Sequence, residues 1–245
     1  MKVTLLDFTG KGADDPADYA ASLMIFTKST RLQMSPGLLE EIMAWSHEDK
    51  MAELAYMANT IPSSWEFCDY TFMIERVSRA FTHQFVRSRT FSFAQQTMRV
   101  LDMQGWEYAT GPSITSEPHL TRAYDSAMIN ANWAYRWLVS NGAAIEDARG
   151  VLPTNILTNI VAKCNMRTFV ELVRKRSSPR VQGEYRNVLL AMQDAVKQVH
   201  PWISMFIERD FERAAKDLDE EIASIEDRDK ATRMLKLVDQ MRAQS

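Results

Sequence analysis

Between residues 68 and 96 the apolar spacing of this chain changes twice, and that change does most to limit what it can fold into. Cys68, Tyr70, Phe72 and Ile74 alternate with Asp69, Thr71 and Met73, the period-two pattern of a strand with one buried face. Val77, Phe81 and Phe85 then recur every four residues, which predicts a helix of about three turns ending near Arg87. Phe91 and Phe93 return to alternation, so Thr90 to Gln96 reads as a loop or short extended segment. Strand, helix and extended backbone in such close succession require a mixed fold.

The flanking segments extend that reading. Val3 to Phe8 resembles an opening strand, and Pro16 to Thr30 and Pro36 to Asn59 read as helices with proline near their starts. Glu117 to Ser140 is a long helix with Trp133 and Trp137 four apart, closed by Asn141-Gly142. Pro153 opens another helix that should run to about Arg176, where Ser177-Ser178-Pro179 stops it. Gln182 to Val199 and Trp202 to Gln244 complete a helix-rich C-terminal half. With no repeat and no linker, residues 1–245 read as a single α+β domain, a small antiparallel sheet covered by helices.

The net charge of −3 conceals an uneven distribution. Arg76 to Val100 holds five arginines and no acid, Lys163 to Arg186 seven basic residues against two acids, and Glu208 to Arg228 nine acids against four bases. Two basic segments in an acidic chain point to a local anion site and away from nucleic acid as a partner. The chain has no run of 18 uncharged apolar residues and no basic start followed by an apolar run, so a cytoplasmic protein without a membrane span is expected. Cys68 and Cys164 are too few for a disulfide framework or a zinc site, and neither is an obvious nucleophile.

Two constellations carry possible chemistry. Gln84, Arg87, Arg89, Gln95, Gln96, Thr97 and Arg99 combine forked cationic donors, suited to phosphate, with amides that both donate and accept. The competing reading is a solvated basic loop, with Phe91 and Phe93 in the core. In the second, an unbroken helix after Pro153 would put Asn165 and Arg176 on one face about 16 Å apart, with Arg167 and Arg174 on another. Here the competing reading is that Arg174, Lys175 and Arg176 complement a helix dipole. The scattered histidines, His47, His83, His119 and His200, read as structural, and the glycine-rich, P-loop, zinc-protease and nucleophile-elbow motifs are absent.

The run FMIERVSRAFTHQFVRSRTFSFAQQTMR, Phe72 to Arg99, resembles the signature of flavin-dependent thymidylate synthases, R-H-R, seven residues, then S. ARGVLP, Ala148 to Pro153, and NMRTFVELVRKRSSPRVQGEYR, Asn165 to Arg186, resemble that family's second block. The resemblance implies a homotetramer with active sites shared between subunits, FAD as cofactor, dUMP as acceptor, and methylene-tetrahydrofolate and NADPH as co-substrates. It places Arg87, Ser88, Arg89, Gln95, Asn165, Arg167 and Glu171 at the flavin. It places Gln84, Arg87, Gln95, Gln96, Thr97, Met98, Arg99, Arg149 and Arg176 at the nucleotide, with Arg149 reaching from a neighbouring subunit and Arg176 activating the uracil. No cysteine nucleophile is required.

The chain departs from the family pattern at Ser88 for the middle histidine, Thr97 for the motif serine, Phe67 for a histidine, Glu171 for His or Asn, and Val100 for a tyrosine. Most of these lie on the flavin and folate side. Alternatives are a dUMP hydroxymethylase, in which water in place of hydride reaches the nucleotide-bound methylene, and a non-catalytic nucleotide- or flavin-binding paralogue. Ser88 would admit water beside the flavin, whereas Phe67, Phe91 and Phe93 would exclude it if they face the site, which favours dTMP as product.

Overall fold

In the computed structural model, which describes residues 1–176, 183–208, 218–225 and 228–244, strand β2 (Asp69–Ser78) forms the middle of the molecule. Its alternation does what the sequence predicts: Tyr70, Phe72 and Ile74 are fully buried on one face. β2 pairs antiparallel with β1 (Lys2–Phe8) on one side and β4 (Leu157–Asn165) on the other, and β3 (Ser92–Gln95) pairs antiparallel with β4. The sheet order is β1-β2-β4-β3. In register, Phe72 faces Ala162 and Ile74 faces Ile160, while Phe93 faces Ala162 from the far side. A small residue at 162 makes room for an aromatic ring on each neighbouring strand.

Helices cover this sheet. After β1 come α1 (Pro16–Lys28), α2 (Pro36–Met43) and α3 (His47–Thr60), then a 3₁₀ turn, Pro62–Phe67, leading into β2. α4 (Arg79–Phe85) follows β2, and α5 (Pro112–Thr115), α6 (Pro118–Ser140) and α7 (Ile145–Ala148) lie between β3 and β4. Next are α8 (Met166–Arg176), α9 (Gly183–Val199), α10 (Ile203–Ile207) and α11 (Arg228–Gln244). α9 packs on β1 and β2, α8 on β4 and α4 on β2. Phe169 of α8 stacks on Phe72 at 5.7 Å, and each such buried ring contributes about 1.5–3 kcal/mol through area removed from water. The architecture is α+β. No helix among the described residues is long and apolar enough to cross a membrane.

The helix expected from Pro153 to about Arg176 is instead a strand followed by a helix. Thr158, Ile160, Ala162 and Cys164 are buried in alternation, and the β-branched Thr158, Ile160 and Val161 favour extended backbone. Pairing on both sides then satisfies the backbone of β4. Asn165 therefore shares no helix face with Arg176; its side-chain oxygen accepts from Thr168 N at 2.9 Å and caps the start of α8. Arg167 and Arg174, seven residues apart on α8, do share a face, toward the Pro62–Phe67 turn, where Arg167 pairs with Glu66 at 2.7 Å and the Arg174 guanidinium lies 5.9 Å from the Trp65 ring centroid. Arg174 donates to the carbonyls of Phe206 and Ile207 at 2.5 and 3.3 Å, at the C-terminal end of α10.

The helix expected over Pro36 to Asn59 breaks at Ala44-Trp45-Ser46. Ser46 caps α3, and buried Lys50 reaches back to the Met43 carbonyl at 2.8 Å and to Asp18 at 2.7 Å. α4 is shorter than expected, because Val77 belongs to β2 and the helix ends at Phe85. The C-terminal half is helix-rich as expected, and within Trp202 to Gln244 α10 ends at Ile207, where Glu208 is extended. The expected stop at Ser177-Ser178-Pro179 and the helix start at Gln182 lie outside the described residues.

Candidate active site

The site grows from the start of α4. Ser78, its N-cap, accepts from Phe81 N at 3.0 Å, and Glu184 of α9 accepts from both the Ser78 amide and its hydroxyl, at 2.8 and 2.5 Å. Phe81 and Phe85 on the inner face of α4 pack against Phe91, Phe93 and Tyr185, with ring centroids 5.1 to 5.5 Å apart at the closest pairs. This aromatic layer makes α4 and β3 one support. Ser78 is buried, so Glu184→Ala would strip two charge-assisted hydrogen bonds from it and is expected to cost about 2 kcal/mol. Glu184→Gln keeps an acceptor for the amide and should cost about half as much; denaturant unfolding of the two variants checks this.

After α4 the chain turns tightly, with Ser88 N donating to Phe85 O and Phe91 N to Ser88 O, both at 3.0 Å. The turn exposes Arg87 and Arg89 and leaves Ser88 half-buried, hydrogen-bonded to Tyr185. Ser88, Thr90 and Phe91 face Thr168, Glu171, Leu172, Lys175 and Arg176 across a cleft of about 180 Å³. The Arg176 guanidinium lies over the Tyr185 ring, 5.7 Å from its centroid. Burial raises the Tyr185 pKa, against the opposing pull of the Ser88 hydrogen bond and the Arg176 charge. Thus Ser88 from the first sequence block and Glu171 and Arg176 from the second line one space.

Of the three phenylalanines expected to keep that space dry, Phe91 lines it. Phe93 belongs to the aromatic layer, and Phe67 is 55% exposed. Arg167 sits on the outer side of α8, its Nη1 on Glu66 at 2.7 Å and its Nε on Glu171 at 3.2 Å, and these carboxylates raise its pKa. Lys175 pairs with Glu171 at 3.7 Å.

A second group forms where β3 ends. Gln95 turns inward and donates to Thr82 Oγ1 at 3.0 Å, while Gln96 is exposed and held by β4 through Gln96 N to Asn159 O at 3.0 Å. Arg79 Nη2 donates to Gln96 O at 2.8 Å. Thr97 accepts from the Arg99 amide at 3.0 Å; Arg99 Nε lies 3.3 Å from Glu146, and Arg149 Nε donates to Glu146 O at 3.0 Å. Burial first, and repulsion from Arg149 second, lower the Arg79 pKa, and Arg79 Nε is buried without a protein partner. An orphaned donor among like charges suits an added anion. Gln84 is exposed on α4, and Met98 is half-buried beside Thr97 in the chain.

Arg79, Glu146, Asn159 and Tyr185 belong to these groups although their types and spacing did not single them out. Arg79 had a signal, as one of the five arginines in the acid-free stretch; Asn159 had none. Burial pushes the thiols of Cys68 and Cys164 up, so neither supplies a thiolate at neutral pH. Alkylation of the folded protein is expected to label neither, and Cys68→Ala or Cys164→Ala should keep turnover within about threefold; mass analysis after labelling and a rate assay check both. Among the described residues no cluster of His, Cys, Asp and Glu is able to hold a metal. A larger cavity, about 620 Å³ between α1, α3 and the Pro62–Phe67 turn, is lined by residues such as Lys28, Arg31, Trp45 and Tyr56 and by none of the expected site residues. The convergence of charges marks the site here, and cavity size does not.

Residues 5–202 match the family model described as thymidylate synthase complementing protein. The chain is 32% identical over 219 residues to the flavin-dependent thymidylate synthase of Clostridium tetani, covering 82% of this chain and 84% of that protein. It is 31% identical over 205 residues to that of Geobacter sulfurreducens, covering 83% and 85%. A protein of the same name from Sulfolobus acidocaldarius is 38% identical over 136 residues, covering 54% and 51%. The matched span contains the end of β1, all of β2 to β4, both basic groups and the cleft between Ser88 and Arg176, and the chain belongs to the thymidylate synthase complementing protein family, the flavin-dependent thymidylate synthases.

Proposed function

We propose that the protein converts dUMP to dTMP with methylene-tetrahydrofolate as one-carbon donor, FAD as cofactor and NADPH as reductant. The observation that carries this reading is the convergence of Arg79, Arg99 and Arg149: Arg79 holds the Gln96 carbonyl and feels the Arg149 charge, Arg99 and Arg149 both meet Glu146, and Ser88 and Phe91, earlier in the same stretch, line the cleft with Arg176. Arg79 and Arg99, with Gln96 and Thr97, suit the phosphate end of the nucleotide; Gln84, Gln95 and Met98 flank it. Arg176 holds a fixed cation against the O2 and N3 edge of uracil, where it stabilises the electron-rich pyrimidine that attacks through C5.

The residues present fit an anionic dinucleotide: Arg87 and Arg89 are exposed cations flanking Ser88 of the cleft, Glu171 lines its far wall, Arg167 pairs with Glu171 behind that wall, and Asn165 caps the helix that forms it. Bound there, FAD supplies hydride to the transferred carbon. The cleft of one chain, at about 180 Å³, is smaller than the roughly 300–1,000 Å³ of a typical ligand pocket. That small size supports a site completed by further copies of the chain, a homotetramer with shared sites; Arg149, also near Arg79 of its own chain, is then one of the residues that a neighbour's nucleotide meets. Cytoplasmic nucleotide synthesis is the corresponding setting.

Incubation of the protein with FAD, dUMP, methylene-tetrahydrofolate and NADPH, followed by mass analysis of the nucleotide, tests the reading. The expected product is dTMP. A dominant product one oxygen heavier would replace it with the hydroxymethylase, and no product with no flavin binding would leave a non-catalytic paralogue.

A further inference from the structure

Strand β2 carries a bulge between Ile74 and Val77, and within it Arg76 adopts φ +57°, a left-handed conformation that L side chains rarely take. The Arg76 side chain meets Glu107 at 2.5 Å, but both groups are more than half exposed, and such a pair contributes little to stability. What the unusual backbone achieves is a direction for one amide. The Arg76 N–H points at Asn159 Oδ1, 3.0 Å away on β4.

That bond has a consequence two groups further on. A backbone N–H only donates, so the Asn159 oxygen must face Arg76 and its NH₂ must face the other way. There it meets Gln96 Oε1 at 3.2 Å. The Gln96 amide is thereby oriented as well: its oxygen faces Asn159, and Nε2, with both hydrogens, is turned away. Gln96 is also fixed through its backbone, by Asn159 O at 3.0 Å and Arg79 Nη2 at 2.8 Å. Asn159 thus holds the main chain and the side chain of a residue whose carbonyl accepts from Arg79.

We infer that Asn159 is a positioning residue which orients the Gln96 amide so that it donates to an oxygen of the bound nucleotide. The inference rests on reading Gln96 as a nucleotide-binding residue. The acceptor is a carbonyl of the base or an oxygen of the phosphate; an amino group is not matched by this orientation. Arg76, through its bulge, sets the polarity of the whole relay.

Equilibrium titration with dUMP, and with deoxyuridine and inorganic phosphate as separate competitors, tests it on the purified full chain. Asn159→Asp keeps the acceptor for Arg76 but presents a second acceptor to Gln96, whose amide must turn over, and dUMP affinity is expected to fall about tenfold or more. Should this variant unfold, Gln96→Glu replaces the outward donor directly and is expected to give a similar loss. The decisive measurement is a double-mutant cycle. Asn159→Ala should weaken dUMP in the native background and have no further effect in a Gln96→Ala background. Equal losses in both backgrounds, or none in either, would overturn the inference while leaving dUMP as substrate. A loss shared by deoxyuridine assigns the acceptor to the base, and a loss confined to dUMP and phosphate assigns it to the phosphate; both support the relay. Wild-type protein that binds no dUMP would overturn the functional reading and this inference with it.

Discussion

Replacing Arg176 with alanine is expected to lower turnover by at least about a hundredfold, the scale on which a preorganised electrostatic donor is lost. The geometry gives the reason that the effect should be so large. Arg176 lines the cleft opposite Ser88 and lies over the Tyr185 ring, so its charge is held in place before any ligand arrives. A cation already in position need not be reorganised in the transition state. Lysine restores the charge but neither the planar fork nor the contact with the ring, and Arg176→Lys should recover little. FAD binding should remain largely intact in both variants, because the cations assigned to the flavin, Arg87, Arg89 and Arg167, are separate groups that do not line the cleft with Arg176 and are unchanged. Turnover assays beside flavin titration separate the two effects. Near-normal turnover in the alanine variant would remove Arg176 from the mechanism.

Acidification is expected to destabilise the fold through His200, a residue outside the candidate site. Its ring is fully buried, stacked on Trp202 at 4.9 Å, with Nε2 3.0 Å from Thr9 O and Nδ1 3.0 Å from the Tyr70 hydroxyl. The Thr9 carbonyl only accepts, so Nε2 carries the proton and neutral Nδ1 accepts from Tyr70. Burial lowers the His200 pKa from 6.5 to about 4, against the opposing effect of the backbone of Thr9 and Pro16. Between these values the unfolded chain binds a proton that the folded chain refuses, so stability falls as pH drops. The contribution is complete above pH 6.5, is lost progressively below it, and levels off near pH 4 after a loss of about 3 kcal/mol. Unfolding curves taken from pH 7.5 to 4 should show this slope. In His200→Gln, which keeps one donor and one acceptor but does not titrate, the curve should begin lower and fall less steeply. Identical slopes in the two proteins would exonerate His200.

The same contrast between local and distant partners runs through the whole molecule. Alternation in residues 68–74 identified β2, because a strand with one buried face must place apolar side chains at every second position whatever packs on it. The long helix α6 and the absence of a usable thiolate were legible for similar reasons, since both follow from residue type and spacing. The two basic blocks could be listed, and their resemblance to a known family named the chemistry. The partners of those residues could not be read in this way. Residues 157–165 admit either helix or strand until β2 and β3 offer edges to pair with, and that choice changed Asn165 from a point on a helix face into the cap of α8. Gln95 and Gln96 are adjacent and chemically identical, yet one is spent on Thr82 while the other is exposed beside Asn159. Arg79 joined the site because the chain between β3 and β4 returns Glu146 and Arg149 to it, about seventy residues later in the sequence. Residue types and their local period determined which backbone forms and which functional groups the chain owns; which of those groups face a ligand was decided by strand pairing and packing over long separations, where a side chain's neighbours compete for it.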